Sequence, residues 1–288
     1  LTANPTLDRT LEFASFTAGD VLRPTSTLVT AGGKGINTAR TVHTLGGETL
    51  CTGFLGGSSG QTVAAMVTAD GITSDWTLVE GSTRLCTILV DASIEQTTVI
   101  NESGPGINAD DWQRLHNTVM KHTSAQTTVC VCGSLPPGAS LDNFRSLVDE
   151  MKAVAPRLWI DTSGAALDAA FDMQDVCIKV NTDEAGAVLN QAIEGPLAAA
   201  NAADRLRTTG KPLVVLTMGA EGAVIATEDG RWYAKPPTIS VKSPLGSGDA
   251  FLGGLALGLS QGQSAADALR MGSAAGAANA MYYGGGRF

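Results

Sequence analysis

At 288 residues, with 43% hydrophobic and 16% charged side chains, the chain is long enough to bury a large core as one big domain. A formal net charge of −9 without any basic run argues against a nucleic-acid partner, and no apolar stretch is long enough to span a bilayer. The five cysteines Cys51, Cys86, Cys130, Cys132 and Cys177 form no C-x-x-C pair, so they read as reduced, buried thiols rather than metal ligands. The opening Leu-Thr-Ala-Asn-Pro is not a signal peptide. It lacks an initiator Met and lies close to a motif, so a few residues are expected ahead of it, and the cytoplasm is the default compartment.

In chain order, residues 9–30 alternate apolar and polar side chains without helical spacing. Ala31-Gly-Gly-Lys-Gly-Ile-Asn37 then opens a helix that continues through Ala39, Val42 and Leu45. A strand is predicted over 48–54 and a helix over 60–70. Residues 83–101 form a hairpin across Ala92-Ser-Ile-Glu. From there, helices over 110–121, 141–154, from about 183, and over 196–208 alternate with strands over 127–132, 157–161, 176–180 and 213–217. Strands apolar on both faces and separated by helices specify a parallel sheet covered on both sides. The stretch 222–241 reads as antiparallel strands at the sheet edge. The fold class is therefore α/β: a mainly parallel central sheet with helices on both faces. A small β element from about 9–30 and 83–101 projects from it as a lid, within a single domain of 1–288. His43, His116 and His122 fall in amphipathic helical stretches and read as surface or boundary residues.

Polar residues collect where the strands end. Gly133-Ser-Leu-Pro-Pro-Gly138, Asp161-Thr-Ser-Gly164, Lys179-Val-Asn-Thr-Asp-Glu184 and Thr217-Met-Gly219 each follow an apolar strand. In an open α/β sheet the ligand crevice lies outside these carboxyl ends. The glycine loop at Gly32–Asn37 lets the backbone approach a ligand, Lys34 adds positive charge, and Asn37 supplies donor and acceptor. It is neither a Walker A loop nor a dinucleotide fingerprint. Near the C-terminus, Ser243-Pro-Leu-Gly-Ser-Gly-Asp249 is a glycine turn running into a helix. The amides of Gly246, Ser247 and Gly248 would form an anion site, helped by the helix dipole. Asp249 would stand at its mouth as a proton acceptor. Alone, these seven residues read better as a chain reversal with an aspartate capping the helix.

Six segments in order change that balance: Asn4-Pro-Thr-Leu-Asp8, Gly32–Asn37, Gly133–Gly138, Asp161–Gly164, Asn181–Glu184 and Leu245–Asp249. Together they resemble the ribokinase-like (PfkB) carbohydrate kinases over nearly the whole chain. Asn-Pro-x-Leu-Asp and Ser-Leu-Pro-Pro-Gly resemble that family's sugar-phosphate branch. The resemblance implies MgATP-dependent transfer of the γ-phosphoryl group to a primary hydroxyl of a sugar phosphate. Fructose 1-phosphate is the first choice of acceptor; tagatose 6-phosphate and fructose 6-phosphate are the alternatives.

The resemblance also implies residue roles. Asp249 is the catalytic base, beside the anion site of Gly246, Ser247 and Gly248. Asp8, Gly32, Gly33, Lys34, Asn37, Arg84 and Ser134 bind the acceptor, with Arg84 gripping its phosphate. Lys179, Asn181, Thr217, Gly219, Ser243 and Asn279 belong to the nucleotide side, and Glu184 arranges Mg²⁺ through water. Exposed lid strands suggest a homodimer. Two departures from the family pattern stand out: Ser247 replaces the usual alanine, and Val180 replaces a proline, which leaves the start of the following helix open. Three rivals remain: a non-catalytic sugar-phosphate sensor, a nicotinamide dehydrogenase, and a kinase for unphosphorylated sugars or nucleosides.

Overall fold

The computed structural model describes residues 1–94 and 96–288. The chain runs β1 (Thr6–Phe13), β2 (Ser26–Gly32), α1 (Lys34–Thr44), β3 (Leu50–Gly56), α2 (Gly57–Ala69), β4 (Thr73–Val79), β5 (Arg84–Asp91) and β6 (Gln96–Asn101). It continues through α3 (Ala109–His122), β7 (Thr128–Cys132), α4 (Leu141–Val154), β8 (Arg157–Asp161), α5 (Ala165–Asp172), β9 (Cys177–Asn181), α6 (Thr182–Leu189) and α7 (Gly195–Arg207). The last elements are β10 (Leu213–Thr217), β11 (Ala223–Thr227), β12 (Gly230–Ala234), α8 (Ser247–Ser260) and α9 (Ala265–Ala280).

The six-stranded sheet has the order β12-β11-β10-β9-β8-β7. β7 to β10 are parallel, and β11 and β12 are antiparallel at one edge. Period-two alternation sorts its side chains into two layers. Val131, Ile160, Ile178, Val180 and Leu216 point toward α3 to α7. Cys132, Trp159, Cys177, Val215 and Ile225 point toward Phe251, Leu252 and Leu255 of α8 and Leu269 of α9. Cys130 packs on the same side as Cys132, as their spacing requires. Each fully buried leucine or isoleucine here contributes roughly 1.5–3 kcal/mol.

β3 and β4 form a separate parallel pair. Leu1 and Thr2 link it to the main sheet: Cys132 donates its N–H to Leu1 O (2.9 Å), and Thr2 donates to Thr52 O (2.9 Å). β4 and the eight-residue α5 were not anticipated from sequence. β4 is half-exposed with one buried side chain, Thr77, so it lacks a clear apolar run. The expected antiparallel stretch to 241 ends at Ala234. Pro236 and Pro237 follow, and proline cannot donate to a ladder.

The β1–β2 and β5–β6 hairpins make a four-stranded sheet of order β2-β1-β5-β6. Its centre is a parallel pairing that sets Thr6 beside Arg84 and Asp8 beside Cys86. Cys86, Ile88 and Val90, on one face of β5, pack against Leu245 and Tyr283. The small sheet therefore rests on the glycine turn that precedes α8. Among the described residues, no helix is long and apolar enough to cross a membrane.

Candidate functional site

Helix α8 sets the position of Asp249. Gly246 caps it with φ +79, a left-handed conformation that glycine adopts without strain. Deeper in α8, a Cβ at Gly253 would lie 2.7 Å from Thr38 O, so α1 and α8 touch backbone to backbone. Two bonds span that contact. Thr38 Oγ1 donates to Asp249 O (3.2 Å), and Asn37 Nδ2 donates to Asp249 Oδ2 (2.8 Å). Oδ1 of Asp249 has no protein donor among the described residues. Asp249 is 7% exposed. Burial, then the charge of Asp161, raise its carboxyl to about 6 against the lowering pull of Lys179, Lys34 and Asn37.

Two lysines from different elements converge beside it. Lys34 Nζ, from the start of α1, pairs with Asp161 Oδ1 (2.7 Å), and Lys179 Nζ, from β9, pairs with Asp161 Oδ2 (2.8 Å). Burial works against the ionised form of Asp161, but Lys179 and then Lys34 hold its carboxyl below the usual range. A Cβ at Gly248 would lie 2.8 Å from Lys179 Nζ, so this ammonium abuts the turn. The turn amides are unequal. Ser247 N donates to Pro244 O (3.1 Å), whereas Gly246 N and Gly248 N have no protein acceptor among the described residues. The strand-end motif that contains Asp161 does not by itself mark this carboxylate as the tether of two lysines. A carboxylate closing an apolar strand was the available signal.

On the acceptor side, Asp8 of β1 lies against Gly32, where a Cβ would overlap its carboxylate. Gly33, with φ +104, turns the chain into α1. Asp8 Oδ1 is buried without a partner among the described residues, and burial is the chief cause that lifts the carboxyl to about 7. Asp8 and Asn37 line a cavity of about 40 Å³ with Gly246, Ser243, Tyr283 and Gly285.

Arg84 Nε and Nη2 donate to Asn4 O (3.2 and 3.1 Å), and Nη1 donates to Asn101 Oδ1 (3.1 Å). Among the described residues Arg84 forms no ion pair. Asn4 in turn donates to Ser134 Oγ (3.4 Å). Sequence reading placed Arg84 and Ser134 on the acceptor side, and the structure joins them through Asn4, which it had not singled out.

On the other flank, parallel register sets Asn181 beside Thr217 at the ends of β9 and β10, with exposed Gly219 just beyond. Asn181 and Glu184 form a reciprocal capping box: Glu184 N donates to Asn181 Oδ1 (2.8 Å), and Asn181 N donates to Glu184 Oε2 (2.9 Å). This starts α6 at Thr182 despite Val180. Among the described residues, no group of three or more His, Cys, Asp or Glu side chains is arranged to hold a metal.

Two of the nucleotide-side candidates, Asn279 and Ser243, lie beside the turn itself. Asn279 is 0% exposed. Its amide donates to Leu245 O (2.9 Å) and Ser247 Oγ (3.2 Å) and accepts from Gly286 N (2.7 Å). With both ends used inside the protein, it braces the turn. Ser243 is buried and lines the same small cavity as Asp8. A cavity of about 860 Å³ opens beside Thr49, Leu50, Thr128 and His43 at the opposite ends of the strands. None of the candidate residues lines it.

Known proteins match along the same length. The model of the pfkB family carbohydrate kinases covers residues 2–287. A 1-phosphofructokinase of Haloferax volcanii is 36% identical over 273 residues, 94% of this chain and 87% of that protein. A tagatose-6-phosphate kinase of Staphylococcus epidermidis is 29% identical, covering 98% and 91%. The crystal structure of phosphofructokinase-2 from Escherichia coli in complex with substrates and products superposes with a TM-score of 0.92 at 26% identity, covering 97% of this chain and 92% of that one. With six ordered motifs and a family match from residue 2 to residue 287, the chain belongs to the pfkB family of carbohydrate kinases.

Proposed function

We propose that this protein is an ATP-dependent sugar-phosphate kinase. It moves the γ-phosphoryl group to a primary hydroxyl of a ketohexose phosphate, converting fructose 1-phosphate to fructose 1,6-bisphosphate. The observation that carries this reading is Asp249: a buried carboxyl raised to about 6, directly after a turn whose Gly248 abuts the Lys179 ammonium. Phosphoryl transfer to an alcohol needs just such a base beside a cationic, amide-lined phosphate site. The relatives named 1-phosphofructokinase support the acceptor. The tagatose-6-phosphate kinase relative makes tagatose 6-phosphate the second reading.

The residues present fit ATP and Mg²⁺. The free amides of Gly246 and Gly248 suit a phosphate oxygen, and open space around Gly219 suits a nucleotide. Bound MgATP supplies the transferable phosphoryl group and metal charge on its oxygens. Glu184 keeps Oε1 outside its capping bond and would hold the ion through water, in keeping with the several waters Mg²⁺ retains.

In our reading, Oδ2 of Asp249 stays on Asn37 while Oδ1 takes the hydroxyl proton as the new P–O bond forms and the bond to ADP breaks. Lys34 and Lys179 offset the charge that gathers on the phosphoryl oxygens. Asp8 orients the sugar hydroxyls, and Arg84 grips the acceptor's own phosphate with a planar fork. The four-stranded sheet closes as a lid on a single domain of 1–288 and excludes water. Exposed Leu85, Val99 and Ile100 on its β5–β6 side would meet a second copy; equilibrium sedimentation of the intact protein at micromolar concentration reads this, and a monomer sinks it.

The test is a coupled ADP assay across fructose 1-phosphate, fructose 6-phosphate, tagatose 6-phosphate, ribose and adenosine. The highest kcat/KM belongs to fructose 1-phosphate. No ADP with any of them overturns the kinase reading in favour of a sensor.

A further inference from the structure

Arg40 is a charged residue on the buried face of α1, 4% exposed, and neither the motifs nor the reaction so far use it. Its three nitrogens make four bonds, two of them to parts of the chain far away in sequence. Nε donates to Asp70 Oδ2 (2.8 Å), and Nη2 donates to Ala31 O (2.8 Å). Nη1 donates to Asn37 Oδ1 (3.3 Å) and to Gly285 O. Burying a guanidinium this deeply is costly unless each donor finds a partner.

Two of those partners touch the site. An amide has one donor end and one acceptor end. With Oδ1 of Asn37 held by the guanidinium, Nδ2 must face Asp249 Oδ2. The reversed amide would set oxygen against carboxylate and NH₂ against guanidinium. Gly285 is seated by the same nitrogen. A Cβ there would overlap the Asn37 amide, and a Cβ at Gly246 would lie 2.7 Å from Gly285 Cα. Gly285 thus walls the small cavity that Asp8 and Asn37 line.

We propose that Arg40 is a positioning residue for phosphoryl transfer: it orients the Asn37 amide, and through it the Asp249 carboxylate, while it seats Gly285 as a wall of the acceptor cavity. This rests on the reading of Asp249 as proton acceptor. The groups that face Asp249 from the elements packed on it are Lys34 of α1, Asp161 of β8, Lys179 of β9, Asp8 of β1 and the Cys132 thiol of β7. Arg40 reaches it through Asn37. The Asn37 bond favours the ionised carboxylate, so its loss moves the Asp249 titration upward.

The experiment compares Arg40→Gln, Arg40→Lys, Asn37→Ala and the Arg40→Gln/Asn37→Ala double variant. Readouts are kcat, KM for the sugar phosphate, and the Asp249 carboxyl titration followed by ¹³C NMR on the ligand-free protein. Arg40→Gln should lower kcat roughly tenfold to a hundredfold and raise the titration midpoint above its starting value near 6. Asn37→Ala should shift it similarly, and the double variant should go no further than Asn37→Ala in either readout. Lysine at 40 retains charge but cannot bridge four partners, so it should not rescue. An unmoved titration, or additive losses in the double variant, overturns the proposal and leaves Arg40 a purely structural ion. Should Arg40→Gln fail to fold, Asp70→Asn frees the guanidinium from its ion pair; the midpoint should rise there too, and no movement again overturns the proposal. The NMR readout is independent of turnover: if no sugar phosphate is phosphorylated, the kinase reading fails while the Arg40–Asn37–Asp249 coupling is still measured.

Discussion

Lys179 and Asp161 form a buried ion pair, Nζ to Oδ2 2.8 Å, with side chains 7% and 1% exposed. The pair holds an ammonium against the turn before α8 while keeping it apart from Asp249. Removing one partner of a buried pair strands the other. Asp161→Asn should therefore lose about 3–5 kcal/mol of stability, measured by urea denaturation, with kcat falling because Lys179 and Lys34 are then free to pair with Asp249. A variant as stable and active as the wild type would show that the lysines need no such tether.

Asp249→Asn should lower kcat by roughly 10²–10⁴-fold while the dissociation constant for MgATP, read by calorimetry, stays within about twofold of the wild type. The same change should stabilise the protein at pH 8. A carboxyl raised from 3.8 to about 6 is ionised in the fold at a cost of up to about 3 kcal/mol, which asparagine avoids. Retained kcat with a raised melting temperature would separate stability from catalysis and remove Asp249 as the base.

The pH dependence follows in sign. Asp249 accepts a proton only when ionised, so kcat should fall as pH drops through about 6, and Asp8, lifted to about 7, adds its own acidic limb to kcat/KM. For stability the raised carboxyls run the other way. The folded state binds their protons more tightly, so their contribution is largest in acid and declines as pH rises from about 4 to 6 or 7. Asp161, held low by its lysines, contributes above the ordinary carboxylate range and loses that contribution on acidification. Rate profiles and melting curves at matched pH values read both; a kcat flat from pH 5 to 8 contradicts the assignment.

Arg84→Ala should raise KM for the sugar phosphate roughly 10- to 100-fold, with kcat and KM for ATP changing far less. The guanidinium is held by backbone and amide oxygens without a carboxylate partner among the described residues, so its charge is available to a phosphate. Equal rises in both KM values would mean that the loss is of lid geometry.

Glu184→Gln keeps an acceptor for Asn181 N, so the capping box survives and stability should change by less than about 0.5 kcal/mol. The Mg²⁺ concentration for half-maximal activity should rise several-fold. Asn181→Ala, in contrast, should lose about 1 kcal/mol with the cap. A Mg²⁺ requirement unaltered by Glu184→Gln would leave the Asn-x-x-Glu motif as a helix start alone.

The parallel strands and the two-faced core were legible in the sequence because period and burial are local patterns. β8 and β10 lie over 157–161 and 213–217, as their apolar runs indicate. β4 was not legible, since a strand paired on one side and half-exposed carries little apolar signal. The two regions 9–30 and 83–101 were expected in one β element, but the parallel register of β1 against β5 was hidden: pairing residues 78 positions apart leaves no mark in either segment. At the site, the glycine turns and Asp249 stood out because special backbone geometry restricts residue type. Asn4 and Asp161 were visible only as members of motifs and Arg40 not at all, because an ordinary polar residue acquires its meaning from its partner.

By itself, then, the sequence determined the α/β class, the polar strand ends and the place of Asp249 directly after a glycine turn. Only the tertiary structure decided how that carboxylate is held. Its raised titration comes from burial, and its orientation from Asn37, with Asp161 keeping two lysines nearby. These are through-space effects among α1, β8, β9 and α8, and their distances exist only once the sheet has brought the four elements together.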